Sequence, residues 1–163
     1  MVMRQPLGVA GLIIAANTPI ANVAWKAFPA LLCGNAAILK ASEDTPISAW
    51  AFGELAREAG VPDGVYQTLH GFGEEAGDAL VRHPDVPVIT FTGSRETGVS
   101  VTRAAADLLK HVHLELGGKN AIIVMDDADV ALAVSSGRAC VCGRPNARPE
   151  KRRTKFSVRF ARR

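Results

Sequence analysis

The sequence predicts an α/β fold, an open parallel sheet with helices on both faces. Short apolar runs alternate with segments of helical length as far as about residue 124. The first run, residues 7–16, is apolar almost without interruption, which is typical of a strand buried on both faces of a parallel sheet. Because crossovers between parallel strands are right-handed, we expect the helices to cover both sides of the sheet.

The apolar runs predict six strands, separated by four helices. The strands are expected at residues 7–16, 36–40, 65–70, 86–91, 112–116 and 121–124. The helices are expected from 19 to about 33, from 46 to about 59, within 71–80 after a turn, and over 94–109. Pro19 and Pro46 mark two helix starts, since the first turn of a helix has no partner for the N–H that proline lacks. Gly60 ends the second helix.

Length and composition indicate one domain with a substantial core. The chain has 163 residues, of which 48% are hydrophobic. No apolar run is long enough to span a membrane, and the residues after Met1 do not have the pattern of a signal peptide. Three cysteines make no disulfide framework, so we expect a cytoplasmic protein. Cys33 lies in an apolar stretch and is expected to be a small buried side chain.

The charge is unevenly distributed along the chain. Residues 1–136 hold 9 Lys and Arg against 15 Asp and Glu, whereas residues 137–163 hold 10 Lys and Arg against Glu150 alone. Such a basic segment is either an arm for nucleic acid or membrane, or a segment too polar to pack. We favour the second interpretation, because the body of the chain is acidic. We therefore expect residues 135–163 to be a disordered basic tail, with no nucleic-acid or membrane partner.

Polar and small residues follow several of the predicted strands. They are Asn17, Lys40, Gly71 and Thr92. In an open parallel sheet, ligands bind beyond the carboxyl ends of the strands. We therefore expect these four residues to line one edge of the sheet.

A turn that can bind an anion follows the fourth strand. Thr92, Gly93 and Ser94 lead directly into the fourth helix, whose first N–H groups have no partner within the helix. Those donors and the helix dipole favour a phosphate group, and Gly93 would let a ligand approach the backbone closely. An ordinary turn that binds nothing is the alternative.

A second glycine-rich segment, residues 71–76, fits the dinucleotide fingerprint of glycines between a strand and a helix. However, Glu74 and Glu75 would place two negative charges at the start of that helix. They would compete with a phosphate for the same N–H donors. We therefore expect the pyrophosphate of a dinucleotide at Ser94 instead.

Glu115 is the candidate acid or base. It lies between Leu114 and Leu116 at the end of an apolar run. Burial there would raise the pKa of its carboxyl group, which suits a general base. The alternative is a position on the polar face of an edge strand, and the residues themselves leave both interpretations open.

Two segments together resemble one enzyme family. Leu114 to Ala121, LELGGKNA, resembles the glutamate signature of the aldehyde dehydrogenases, and Phe91 to Gly98, FTGSRETG, resembles their cofactor turn. The resemblance covers about residues 6–134. It implies that residues 1–134 are a Rossmann-like NAD-binding domain. It also implies that the parent enzyme is a homo-oligomer that oxidises a small-molecule aldehyde to a carboxylic acid with NAD and without a metal.

The resemblance also implies roles for individual residues. Asn17 corresponds to the asparagine that stabilises the oxyanion, and Glu115 to the general base that activates water. Lys26 corresponds to a lysine near the active site, with packing or a surface ion pair as the alternative. Ala15 and Ala16 depart from the family's usual Pro-Trp, so the wall of the substrate pocket is left open.

A set of cofactor-binding residues is implied in the same way. They are Ile14, Lys40, Ser42, Glu43, Gly73, Gly77, Phe91, Thr92, Gly93, Ser94, Thr97 and Leu116. Lys40 and Glu43 resemble the pair that holds the adenosine ribose. A carboxylate at Glu43 would repel a 2′-phosphate, which favours NAD over NADP. Gly73 and Gly77 resemble close neighbours of the adenine end.

The family's nucleophile is not found in this sequence. The family carries a cysteine in a Gly-Gln-x-Cys context, whereas this chain has Gly137-Arg138-Ala139-Cys140, only 25 residues after Glu115. The resemblance ends at about residue 134, so we expect the tail to be non-family sequence, as a frameshift near codon 135 would produce. We therefore expect a chain that does not oxidise aldehydes by itself. The alternative is a module that binds NAD or an adenine nucleotide without chemistry.

Overall fold

The computed structural model describes residues 3, 5–118, 125, 127–129 and 131–132. Within them, five strands form one parallel sheet in the order β3-β2-β1-β4-β5. They are β1 (Val9–Ile13), β2 (Ala36–Lys40), β3 (Tyr66–Leu69), β4 (Val88–Gly93) and β5 (His111–Leu116). The predicted parallel sheet is therefore confirmed. The predicted strand at 121–124 and the predicted tail at 135–163 lie outside the described residues.

Four α-helices connect the strands. They are α1 (Pro19–Leu32), α2 (Pro46–Glu58), α3 (Asp78–Arg82) and α4 (Arg95–Ala106), and a π-helical turn (Gly73–Gly77) leads directly into α3. Helices α1 and α2 begin at the predicted prolines. The third helical segment runs two residues beyond the predicted end at Leu80, and α4 ends earlier than predicted.

Strand β1 lies at the centre of the sheet and is buried on both faces. One core packs α1 and α2 against even-numbered residues of β1 and odd-numbered residues of β2. Its members are Ala10, Leu12, Ile14, Val23, Ala27, Ala37, Leu39, Ala41 and Ala49. The other core packs α3 and α4 on the opposite face. Its members are Ile13, Leu80, Val81, Val86, Ile89, Phe91, Val101, Ala104 and Ala105. The prediction of helices on both faces is confirmed.

Two strand boundaries differ from the prediction. β1 spans five residues rather than ten, since Leu7 and Gly8 donate their N–H groups to the Asn35 side chain instead of a strand. β4 continues through Thr92 and Gly93, which the sequence placed in a turn. They belong to the strand because they pair with Glu115 and Leu116 of β5.

The order of the strands produces a switch point between β1 and β4. The chain builds outward from β1 to β2 and β3, and then returns to place β4 on the other side of β1. The connection that follows β1 therefore leads to a helix on one face, and the connection after β4 leads to a helix on the other. A crevice opens at such a point, beyond the carboxyl ends of the strands.

Residues 117–163 form a separate unit, of which few residues are described. Within it, the N–H of Leu132 donates to the carboxylate of Asp129 (3.0 Å), as at the start of a helical turn. Across the described part of the chain, no helix combines the length and apolar character needed to cross a membrane.

Gly11→Ala is expected to destabilise the fold. A Cβ at this position of β1 would lie 2.8 Å from Ile89 Cδ1, 3.1 Å from Val86 Cγ1 and 3.2 Å from Leu80 Cγ. Overpacking a core in this way costs about 1–3 kcal/mol, measurable by urea unfolding. Gly77→Ala is the matched control, because no atom lies within 4 Å of a Cβ there. Equal losses of stability in the two variants would contradict this packing.

Candidate functional site

The carboxyl edge of the sheet brings most of the candidate residues together. Asn17 is exposed in the turn that follows β1, and Ser94 directly follows β4. Gly71 follows β3. Thr92 was expected just past a strand end but lies inside β4, because that strand pairs to its last residue. Lys40 is the last residue of β2, as in the predicted strand at 36–40. The expectation of one shared edge is confirmed.

Ser94 is the N-cap of α4. Its Oγ accepts a hydrogen bond from the Thr97 backbone N–H (3.1 Å) and lies 2.9 Å from the Thr97 hydroxyl. The cap uses one of the orphan donors of the helix, while the N–H groups of Arg95 and Glu96 have no partner within α4. The exposed start of this 12-residue helix therefore offers backbone donors and a positive dipole end to an anion.

Glycines at positions 93 and 98 leave space for two apolar side chains beside this helix start. The ring of the buried Phe91 occupies the space that a side chain at Gly93 would need. A Cβ at Gly98 would lie 2.6 Å from Leu116 Cδ2, so Leu116 packs directly on α4. Leu116 remains 39% exposed. It thus presents an apolar surface at the end of β5.

Lys40 and Glu43 form an ion pair after β2. The amine of Lys40, a residue only 3% exposed, lies 3.2 Å from the Glu43 carboxylate. The pKa of Glu43 is lowered, first by a hydrogen bond from its own backbone N–H and also by Lys40. The Ser42 hydroxyl accepts from the Asp44 N–H (3.4 Å), which helps to hold the loop. The Glu43 carboxylate is thus ionised, half exposed and free to accept from hydroxyl groups.

The π-helical turn carries Gly73 and Gly77. The N–H groups of Glu75 and Gly77 both donate to the Phe72 carbonyl (3.3 Å each). Glu74 and Glu75 are exposed in the first turn of this segment. Their charges make this helix start less suitable for a phosphate than the start of α4.

Glu115 is exposed, which contradicts the interpretation that it is buried in an apolar neighbourhood and agrees with the alternative, the polar face of an edge strand. Its side chain is 65% exposed, and its Oε1 lies 3.1 Å from Nε2 of His113. Val112 and Leu114 turn toward the core under α4, which leaves His113 and Glu115 on the opposite face of β5. This strand is an edge of the described sheet, as the alternative interpretation held. The catalytic role of Glu115 remains a prediction that rests on the resemblance.

Lys26 is a buried cation on α1. It is 7% exposed, and its amine donates to the Thr90 hydroxyl of β4 (2.7 Å). Burial lowers the pKa of Lys26 to about 8, and the charge of Glu115 opposes part of that shift. The burial of Lys26 contradicts the alternative of a surface ion pair, while its position near an active site remains a prediction.

Thr90 and His113 are polar residues of the candidate site that the sequence did not indicate. They are paired in register across β4 and β5, as are Thr92 and Glu115. A polar row therefore runs along the α1 side of these two strands. The signal for Thr90 was available, since it interrupts the apolar run 86–91. The turn with Asn17 leads into α1, so both predicted catalytic residues belong to the same side of the carboxyl edge.

Cys33 is exposed at the end of α1, and its predicted burial is wrong. The helix presents this position outward, because Val23, Lys26 and Ala27 form its inner face. Cys140 lies outside the described residues.

A surface cavity of about 250 Å³ lies away from the candidate site, between α2 and β3. Its lining includes Trp50, Gly53, Tyr66 and Thr68 but none of the candidate site residues. Burial raises the pKa of Tyr66 to about 12, so its hydroxyl stays protonated there. We place the site at the carboxyl edge, since the strand ends and the start of α4 meet there. In the described part of the chain, no three His, Cys, Asp or Glu side chains are grouped as metal ligands.

Comparisons with known proteins show which family the chain is similar to. Residues 1–143 match the model of the aldehyde dehydrogenase family, nine residues further than the expected end at 134. The chain is 50% identical over 133 residues to a 2-hydroxymuconic semialdehyde dehydrogenase of Pseudomonas putida, covering 81% of this chain and 27% of the relative. It is 54% identical over 126 residues to aminoaldehyde dehydrogenase 2 of Solanum lycopersicum, covering 77% and 25%.

A solved structure shows the same fold. It is a mutant of aldehyde dehydrogenase C from Pseudomonas syringae, in complex with NAD⁺ and octanal, with a TM-score of 0.78 and 43% identity. The match covers 82% of this chain and 28% of that one. The chain thus spans roughly a quarter to a third of the length of its relatives.

Lys26→Met is expected to stabilise the chain near neutral pH. The pKa of Lys26 is lower in the folded state, so between about 8 and 10.5 the unfolded state binds more protons and stability rises with pH. Below that window the protonated amine destabilises the fold, by about 1–3 kcal/mol. The variant should therefore unfold at higher urea than wild type at pH 7, and the difference should shrink toward pH 10. Arg57→Met, on the surface, is the control; a pH-independent difference at Lys26 would contradict the assignment.

Proposed function

The chain belongs to the aldehyde dehydrogenase family, and from this premise we propose that its carboxyl edge is the cofactor half of a site for NAD-dependent aldehyde oxidation. The observation that carries the proposal is the convergence of three features at one edge. They are the capped start of α4, the Lys40–Glu43 pair and the turn with Asn17. Each offers the chemistry that one part of the reaction needs.

The start of α4 fits the pyrophosphate. Backbone N–H groups of Arg95 and Glu96, together with the helix dipole, would neutralise its charge. Gly93 is required at this position because the Phe91 ring fills the space that a side chain would need. Ser94 and Thr97 hold the helix start in this conformation through their mutual hydrogen bonds.

The loop after β2 fits the adenosine ribose. The Glu43 carboxylate can accept hydrogen bonds from both ribose hydroxyls, and Lys40 fixes its position. A 2′-phosphate would bring further negative charge against this carboxylate. We therefore propose NAD, rather than NADP, as the cofactor. Gly73 and Gly77 would lie close to the adenine end. Ser42 and Ile14 remain predicted cofactor-binding residues, although the side chain of Ile14 is buried in the core with α1 and α2.

The α1 side of the edge supplies groups for the reaction. Bound NAD would accept a hydride from the substrate. The Asn17 amide can donate to an oxygen that becomes negative as the aldehyde is attacked. Glu115, open to solvent on β5, can take a proton from water, and Leu116 offers an apolar contact to the nicotinamide. The charge of Glu115 raises the pKa of Lys26, and the Glu115 carboxylate lies within hydrogen-bond distance of His113.

We further propose that this chain binds NAD without oxidising aldehydes by itself. The sequence shows no Gly-Gln-x-Cys stretch, and the chain corresponds to about 28% of the length of the solved relative. A small-molecule aldehyde as substrate and a homo-oligomer remain predictions for the parent enzyme. The non-catalytic binding module is the second candidate, and it shares the cofactor site.

Calorimetry with NAD and with AMP tests the cofactor site. We expect saturable binding of both, since AMP carries the ribose and a phosphate. In the same preparation, a short aldehyde with NAD should give no NADH signal. Lack of heat with both nucleotides would remove the proposed cofactor site, and steady NADH formation would remove the claim of inactivity.

Glu43→Gln is expected to narrow the preference for NAD over NADP by about tenfold, equivalent to roughly 1.4 kcal/mol. The reason is that a neutral amide still pairs with ribose hydroxyls but no longer repels a 2′-phosphate. Titration calorimetry with both nucleotides measures the ratio of the two dissociation constants. Glu54→Gln is the matched control, because Glu54 also forms an i,i+3 ion pair, with Arg57 on α2. An unchanged ratio in Glu43→Gln would contradict the assignment of the ribose site.

A further inference from the structure

Two described lysines are buried, but their amines have different partners. The amine of Lys40 lies 3.2 Å from the Glu43 carboxylate. That of Lys26 donates to the hydroxyl of Thr90 at 2.7 Å. Among the described residues, no carboxylate lies within ion-pair distance of Lys26. A buried amine without a close counter-charge is costly to keep protonated.

The position of Lys26 places it within the proposed substrate side of the sheet. Its side chain reaches from α1 to β4, whose neighbour β5 leaves His113 and Glu115 70% and 65% exposed on the same face. The hydroxyl of Thr90 accepts a hydrogen bond from the amine, and the charge of Glu115 raises the pKa of Lys26. The imidazole of His113 lies 3.1 Å from the Glu115 carboxylate. The turn with Asn17 leads directly into α1, so Lys26 and the residue proposed to contact the aldehyde oxygen belong to the same connection after β1.

Desolvation also makes this amine an effective nucleophile. With a pKa of about 8, about a tenth of Lys26 is unprotonated at pH 7, against roughly 0.03% of an ordinary lysine. Desolvated lysines of this kind attack carbonyl carbons in enzymes that form Schiff bases.

We propose that Lys26 is an aldehyde-reactive amine, which captures small aldehydes as an imine without the cofactor. The nitrogen lone pair adds to the carbonyl carbon, and one N–H proton passes to the carbonyl oxygen to give a carbinolamine. The C–O bond then breaks, the second N–H proton is lost, and the oxygen leaves as water. No net oxidation occurs, and hydrolysis returns both the amine and the aldehyde. The choice of an aldehyde as the ligand rests on the proposed function.

Reductive trapping on the full chain tests the proposal. Acetaldehyde and cyanoborohydride at pH 7, in short exposures without NAD, convert an imine into a stable N-ethyl-lysine that peptide mass spectrometry locates. Lys40 is the matched control, since its burial is similar but its amine is held by a carboxylate. We expect Lys26 to be labelled at least about fivefold faster than Lys40. A smaller ratio overturns the proposal.

Glu115→Gln provides a second measurement. The Glu115 carboxylate favours the protonated form of Lys26, so its removal should lower the pKa of Lys26 and speed labelling about twofold or more. An unchanged or slower rate overturns the proposed environment of the amine. Circular dichroism confirms that the variant is folded. Labelling uses no cofactor. A failure of labelling would therefore not contradict NAD binding. A failure of NAD binding in calorimetry would likewise not change the interpretation of the labelling result.

Discussion

Burial of β1 on both faces is the constraint on which the site depends. Leu12 is fully buried against α1 and α2, while Ile13 packs on the opposite face with α3 and α4. A strand enclosed in this way needs neighbours on both sides, and parallel pairing brings all strand ends to one edge. The loops after β1 and β4 then diverge to opposite faces. The crevice proposed for a dinucleotide is therefore a consequence of how the two cores are divided.

The division of the core between the two faces of the sheet leaves polar side chains on the α1 side of β4 and β5. Helix α1 packs with β1 and β2, and the long side chain of Lys26 extends from it to Thr90. This buried amine lowers the stability of the fold near neutral pH, because its charge has no close partner. A group that costs stability beside a crevice is more consistent with function than with packing.

The sequence predicted the regular part of the fold well where local chemistry decided it. Pro19 and Pro46 fixed the starts of α1 and α2, and the continuous apolar run at residues 7–16 identified the central strand. The predicted boundaries of strands were less accurate where pairing with another strand sets them. Thr92 and Gly93 resemble a turn by composition, yet they are held in β4 by β5, a partner some twenty residues away in sequence.

The sequence alone determined the α/β class, the order of the elements and the family, since periodicity, prolines and two short motifs are local properties. It also indicated which residues meet at one edge, because parallel strands end together. Only the tertiary structure decided what surrounds each side chain. Glu115 and Cys33 lie in apolar segments but face solvent, whereas Lys26 is charged but buried. The reason is that burial depends on which face of a strand or helix other elements cover, and that is settled by packing between distant segments.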